Sequence, residues 1–204
     1  MHALLKWSAL LIPVMLMAVN AWAVPITVDF DSDDTSNPNP GQTFTSVDSS
    51  LVHFGDTNGP DLFLADALIS PNGTNALAVF FDDDGSALRI DFDFRADMLS
   101  FDFGTAAVSP VIGAAILTLF SEGAQVDQVP VSLVQDGTLG QTLLYDTGIL
   151  FDAVEFEFVN PELTEVVDNL TVNAIPEPSA ALVFGLGSIV CGRACGRRPR
   201  VRRR

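Results

Sequence analysis

The sequence predicts an all-β protein: an antiparallel two-layer β-sandwich, jelly-roll-like, flanked by an N-terminal signal helix and a short C-terminal transmembrane helix. Three observations carry that expectation. Apolar residues recur with a period of two through the middle of the chain, no segment there shows a period of 3.6, and clusters of turn-forming residues separate the alternating runs.

The alternation is plain in three places. Leu88, Ile90, Phe92 and Phe94 alternate with Arg89, Asp91, Asp93 and Arg95; Leu99, Phe101 and Phe103 with Ser100 and Asp102; Val154, Phe156 and Phe158 with Glu155 and Glu157. One face of each run is apolar and the other wet, as in an antiparallel sheet with a core on one side and water on the other. Further candidate strands run from Ile26 to Phe30, Leu51 to Phe54, Leu62 to Leu64, Ala76 to Phe81, Ile116 to Phe120, Gln128 to Val134, Thr142 to Tyr145 and Val166 to Val172. Turn clusters stand between them at 36–41, 56–60, 70–75, 82–86 and 136–140. A body of roughly 150 residues buries enough surface to fold without disulfides. None is available to it, since the two cysteines, Cys191 and Cys195, both lie in the tail.

The chain divides into residues 1–23, 24–174 and 175–204. The first segment carries Lys6, an apolar run from Ala9 to Val19, and Ala21-Trp22-Ala23 with small residues where a signal peptidase requires them. It reads as a secretory signal cleaved after Ala23, because 11 apolar residues reach only about 16 Å as a helix, short of a hydrocarbon core of about 30 Å. The last segment opens with Pro176-Glu177-Pro178, continues with an apolar stretch from Ala180 to Gly192, and ends in Arg193, Arg197, Arg198, Arg200 and three terminal arginines. The prolines hold the backbone extended, the form in which a protease grips a substrate. The arginines resist translocation and act as a membrane stop. From Ser179 to Gly192 the span is 14 residues, about 21 Å, which suits a transient membrane anchor better than a permanent one.

Taken in order, the tripeptide, the glycine-bearing apolar helix and the arginine cluster resemble the PEP-CTERM sorting signal of bacterial exported proteins. The resemblance covers roughly the last 30 residues. It implies export by the general secretory route and recognition near Pro176-Glu177-Pro178 by an exosortase, a membrane-embedded cysteine protease-transpeptidase. It further implies residence at the cell surface or in an exopolysaccharide matrix. The short span and the two cysteines beside the arginines depart from the usual pattern. Residues 75–81 and 167–172 also look like strands of the galactose-binding-like sandwiches found before this signal.

The charge and the side-chain inventory narrow the chemistry of the body. The whole chain carries −16, and the stretch from Val24 to Ile175 holds 25 acids against Arg89 and Arg95, net −23. Such a surface has no footprint for nucleic acid. The body has no lysine for a Schiff base and no cysteine nucleophile, and its one histidine, His53, sits among strand residues as a core or half-buried side chain. The expectation is therefore no enzyme, no catalytic residues, and an exported protein of the cell surface or extracellular matrix. A carbohydrate-binding module, with or without calcium, is the alternative. A carboxylate-based glycosidase is the second, since it needs only two suitably spaced acids. Calcium, the one candidate cofactor, would find hard oxygen ligands in Asp31, Asp33 and Asp34, in Asp82 and Asp84, and in the inward-facing Asp168. Solvated acidic loops, and backbone hydrogen bonds at a bulge for Asp168, are the plainer readings.

Overall fold

The computed structural model describes residues 23–66, 74–79, 85–105, 113–134, 137–160 and 163–175. Ala21, Pro176, Glu177, Pro178, Arg193, Arg197, Arg198, Asp82 and Asp84 lie outside them, as do the segments expected to form the two flanking helices; Ala23 is exposed. Among the described residues no helix is long and apolar enough to cross a membrane. Their regular structure is all β: β1 (Val24–Val28), β2 (Thr43–Thr45), β3 (Val52–Asp56), β4 (Leu62–Ala65), β5 (Ala76–Val79), β6 (Leu88–Gly104), β7 (Gly113–Ser121), β8 (Ala124–Leu133), β9 (Gln141–Phe158) and β10 (Glu165–Ile175). The strands join in one antiparallel sheet, ordered β4-β5-β10-β6-β9-β7-β8, with β1 on β10 and the β2–β3 pair on β6.

Two long strands set the shape. The runs expected to be separate strands around Phe92 and Phe101 are one strand, β6, and those around Tyr145 and Phe156 are likewise one, β9. The burial parity shows how. Leu88, Ile90, Phe92 and Ala96 are buried on even numbers, Leu99, Phe101 and Phe103 on odd ones. The switch falls where the β6–β9 register slips, Ala96 to Met98 lying opposite Phe151 to Asp146. The surplus residues of β9 bulge outward around Gly148, whose φ of 73° suits a residue without a Cβ.

The bulge folds the sheet over. Phe156 lies opposite Leu88 in the register, so along straight strands it would stand roughly 43 Å from Phe101 at 3.3 Å per residue. Their ring centroids are 5.0 Å apart. The β6–β9 ribbon therefore bends back, and two halves of the sheet face each other across the core. One half holds β4, β5, β1, β10 and the portions of β6 and β9 beyond the bend; the other holds β2, β3, the remaining portions, β7 and β8. Phe156 is the hub between them, meeting Phe101, Phe103 and Phe158 edge to face at 5.0, 5.3 and 5.6 Å. Edge-to-face contacts of this kind add about 0.5–1.5 kcal/mol each beyond burial.

Elsewhere the strand limits differ modestly from expectation. β1 ends at Val28, because Phe30 adopts a φ of 61° and turns its ring onto Phe54, 5.2 Å away. β2 has only three residues, Thr43-Phe44-Thr45, too few for their alternation to announce it.

Candidate functional site

The fold leaves two sheet edges facing each other. β8 pairs with β7 alone, and residues 141–146 of β9 pair with β6 alone. Between them opens a groove of about 280 Å³, lined by Leu117, Val129, Val131, Leu143 and Tyr145, with Ser132 at the rim. Period two explains the lining: Val129 and Val131 of β8 turn inward against the core while Gln128, Pro130 and Ser132 turn out. Leu117, Leu143 and Tyr145 are buried and form the floor.

A polar bridge closes each end. Val134 donates its backbone N–H to Gln141 Oε1 at 2.6 Å, and Gln141 Nε2 donates to Ser132 O at 3.0 Å. At the other end the Tyr145 hydroxyl donates to Asp127 Oδ2 at 2.7 Å. Burial is the main reason the Tyr145 phenol is pushed above its ordinary pKa; the Asp127 carboxylate adds to the rise and a Thr147 hydrogen bond opposes it.

The same contacts show which backbone groups of β8 look out of the sheet. Gln141 reaches Ser132 and Val134, so residues of that parity, Pro130 and Gln128 included, point their backbone away from β7. Of their N–H groups, that of Val134 is held by Gln141, that of Gln128 donates to Asp127 Oδ1 at 2.8 Å, and Pro130 has none. An added peptide strand would meet carbonyls with few donors, which blunts this edge against strand addition. What remains, carbonyl acceptors with the amide and hydroxyl of Ser132, suits a ligand whose groups both donate and accept.

A second polar surface lies on the outer face of the β7 half. Arg89 forks onto Asp91 through Nε and Nη2 at 3.0 and 2.8 Å, reaches Glu155 through Nη1 at 2.8 Å, and lies 5.2 Å from the Phe120 ring centroid. The Asp91 hydrogen bond is the main cause that raises the Arg89 pKa, while burial raises that of Glu157 with help from the Glu155 charge. His53 is half-buried on this face, between Thr45 Oγ1 at 3.0 Å and Asp93 Oδ2 at 3.3 Å.

The candidate calcium ligands that the structure describes do not converge. Asp31 Oδ1 accepts the Asn75 N–H at 3.0 Å; Asp33 accepts the Ser46 hydroxyl at 2.6 Å and the Val47 N–H at 2.9 Å; Asp34 accepts the Ser36 N–H at 2.9 Å. Hydrogen bonds from Ser36 lower the Asp34 pKa. Asp168 is 1% exposed, stands at a register slip of β10, and accepts the Thr74 hydroxyl and the Asn169 N–H, both at 2.7 Å. Among the described residues no group of three or more His, Cys, Asp or Glu side chains is placed to hold a metal.

Sequence reasoning missed the groove, although Pro130 inside an alternating run carried a signal, since proline in a strand marks an edge. No protein-family model matches the chain, and no curated protein does. Among solved structures it is similar to a rhamnosidase from Klebsiella oxytoca with rhamnose bound (18% identity over 45% of this chain, TM-score 0.35), of which it spans about a fifth, 21%. It is similar to a cleaved adhesin domain of Lys-gingipain (11% identity, 73% of this chain and 99% of that one, TM-score 0.47). A family 29 carbohydrate-binding module complexed with mannohexaose is a third (15% identity, 74% and 92%, TM-score 0.42).

Proposed function

We propose that the chain is an exported, non-enzymatic protein that binds carbohydrate in the groove between β8 and β9, on a jelly-roll-like sandwich. One observation carries the reading: an apolar floor lies under a rim of hydroxyl, amide and carbonyl groups at an edge where most outward N–H groups are captured or missing. Sugars present apolar C–H faces and hydroxyls that donate and accept at once, so they match both floor and rim. Hydrolysis is disfavoured, because no Asp or Glu is among the residues that line the groove, Asp127 meeting it through the Tyr145 hydroxyl, and Glu155 is tied to Arg89.

The terminal segments give this reading its setting. The chain would be exported under its signal peptide and held briefly in the membrane by its tail. An exosortase would process it at Pro176-Glu177-Pro178, leaving it at the cell surface or in the exopolysaccharide. Replacing the tripeptide with alanines should leave the full-length form in the membrane fraction; unchanged release would refute the sorting role.

Calorimetric titration of the full-length chain with a panel of oligosaccharides tests the binding. Binding is expected for the wild type and loss for Val131→Phe, which fills the groove, with no sugar released by hydrolysis. Chelator should leave affinity unchanged, since Asp31, Asp33, Asp34 and Asp168 each accept hydrogen bonds from nearby hydroxyls or amides and stand apart from the groove. Affinity untouched by Val131→Phe would place any binding elsewhere.

A further inference from the structure

We infer that the groove takes one neutral sugar ring, at a chain end or branch tip, and turns away uronic acids and other anionic glycans. The inference rests on the carbohydrate-binding reading and narrows it by shape and by charge.

Shape comes from the two bridges. Gln141 and Tyr145 are four residues apart on β9, so the open length between them is about 13 Å at 3.3 Å per residue. The Gln141 contacts to Ser132 and Val134 cross one end, and the Tyr145–Asp127 contact crosses the other. A polysaccharide lying lengthwise would have to break one of them. A volume of about 280 Å³ also sits at the foot of the range for small-molecule pockets, roughly 300–1,000 Å³, which leaves room for a single ring entering from the open side.

Charge comes from where the cations are. Arg89 is held by Asp91 and Glu155 and Arg95 by Glu122, and the His53 ring lies against Asp93. Every arginine and histidine among the described residues is thus already paired, and none lines the groove. The charge at the groove is the Asp127 carboxylate, set in a body with 25 acids and two arginines. A uronate would approach a like charge with no counter-ion offered by the protein. A neutral hydroxyl at the same place can donate to Asp127.

Nuclear magnetic resonance titration of the full-length chain tests both parts. The probes are the methyl glycosides of glucose, galactose and mannose, their uronic acid counterparts, and neutral oligosaccharides of the best sugar from two to six rings. The expected result is that one neutral monosaccharide binds within about threefold of its hexamer and that its uronate binds about tenfold more weakly or less, a gap that narrows in salt. Gln141→Ala, which opens one end, should let affinity rise with chain length. Wild-type affinity that climbs with each added ring overturns the single-ring claim, and equal binding of the uronate overturns the charge claim. Absence of binding by every sugar overturns the carbohydrate reading itself.

Discussion

Replacing Tyr145 with phenylalanine removes the hydroxyl that closes one end of the groove. The ring is 4% exposed and meets Phe151 edge to face at 6.0 Å, and phenylalanine keeps that packing. What goes is the hydroxyl's 2.7 Å hydrogen bond to Asp127, together with its weaker contact to Thr147. Hydrogen bonds to charged groups contribute about 1.5–3 kcal/mol; here the lower end applies, because the bond is only part-buried and Asp127 keeps the Gln128 N–H. A loss of about 1.5 kcal/mol lowers the melting temperature of a body this size by about 3–6 °C. The pH dependence has a definite sign. The folded-state pKa of Tyr145 is raised above 10.0, so its stabilisation is complete below the unfolded value and is lost as pH rises through the folded value. The deficit of Tyr145→Phe should thus be full at neutral pH and shrink above pH 10. Tyr145 is the chain's one tyrosine, and the body has no lysine or cysteine, so phenolate absorbance reads this group alone. Equal melting of variant and wild type at neutral pH would refute the bridge, and a phenol that titrates at the ordinary value would refute the burial of its hydroxyl.

Three other substitutions probe the frame. Gln141→Ala should cost about 1 kcal/mol and speed hydrogen exchange at the Val134 amide, which loses its acceptor; unchanged exchange would mean that the bridge does not hold the edges. Gly104→Ala would set a Cβ 1.9 Å from the Thr138 carbonyl oxygen, so a loss of about 3 kcal/mol or more, seen in chemical denaturation, is expected, and a neutral result would contradict the close approach. Glu157→Gln should raise the melting temperature at neutral pH, where a group with a raised pKa is held charged at a cost, and make no difference well below the unfolded value of 4.5. A variant less stable than wild type at pH 7 would reverse that sign.

Much of the fold was legible in the sequence because burial has period two. Leu88, Ile90 and Phe92, and again Phe101 and Phe103, announced their inward faces without help from distant residues. The change of parity between Phe94 and Leu99 also held the bulge, but a gap between two strands gives the same pattern, and only the pairing of β6 with β9 separates the two. The groove depends on that bend. Val131 and Leu143 lie on edges that meet only once the sheet has folded over, so no local pattern joins them. The acidic clusters were legible as clusters, yet their use was not. Asp29, Asp34 and Asp56 each accept the backbone N–H two residues on, at 3.1, 2.9 and 3.0 Å. This is the habit of aspartate in turns, and composition alone does not distinguish it from a metal site.

The most direct test of the central claim is a map of which methyl groups respond when a bound sugar is titrated into the isotope-labelled full-length chain. The account predicts that resonances of Val129, Val131, Leu117 and Leu143 move together and saturate with one affinity. Shifts confined to the outer face around Arg89, Phe120 and Glu155, with these four residues still, would contradict it.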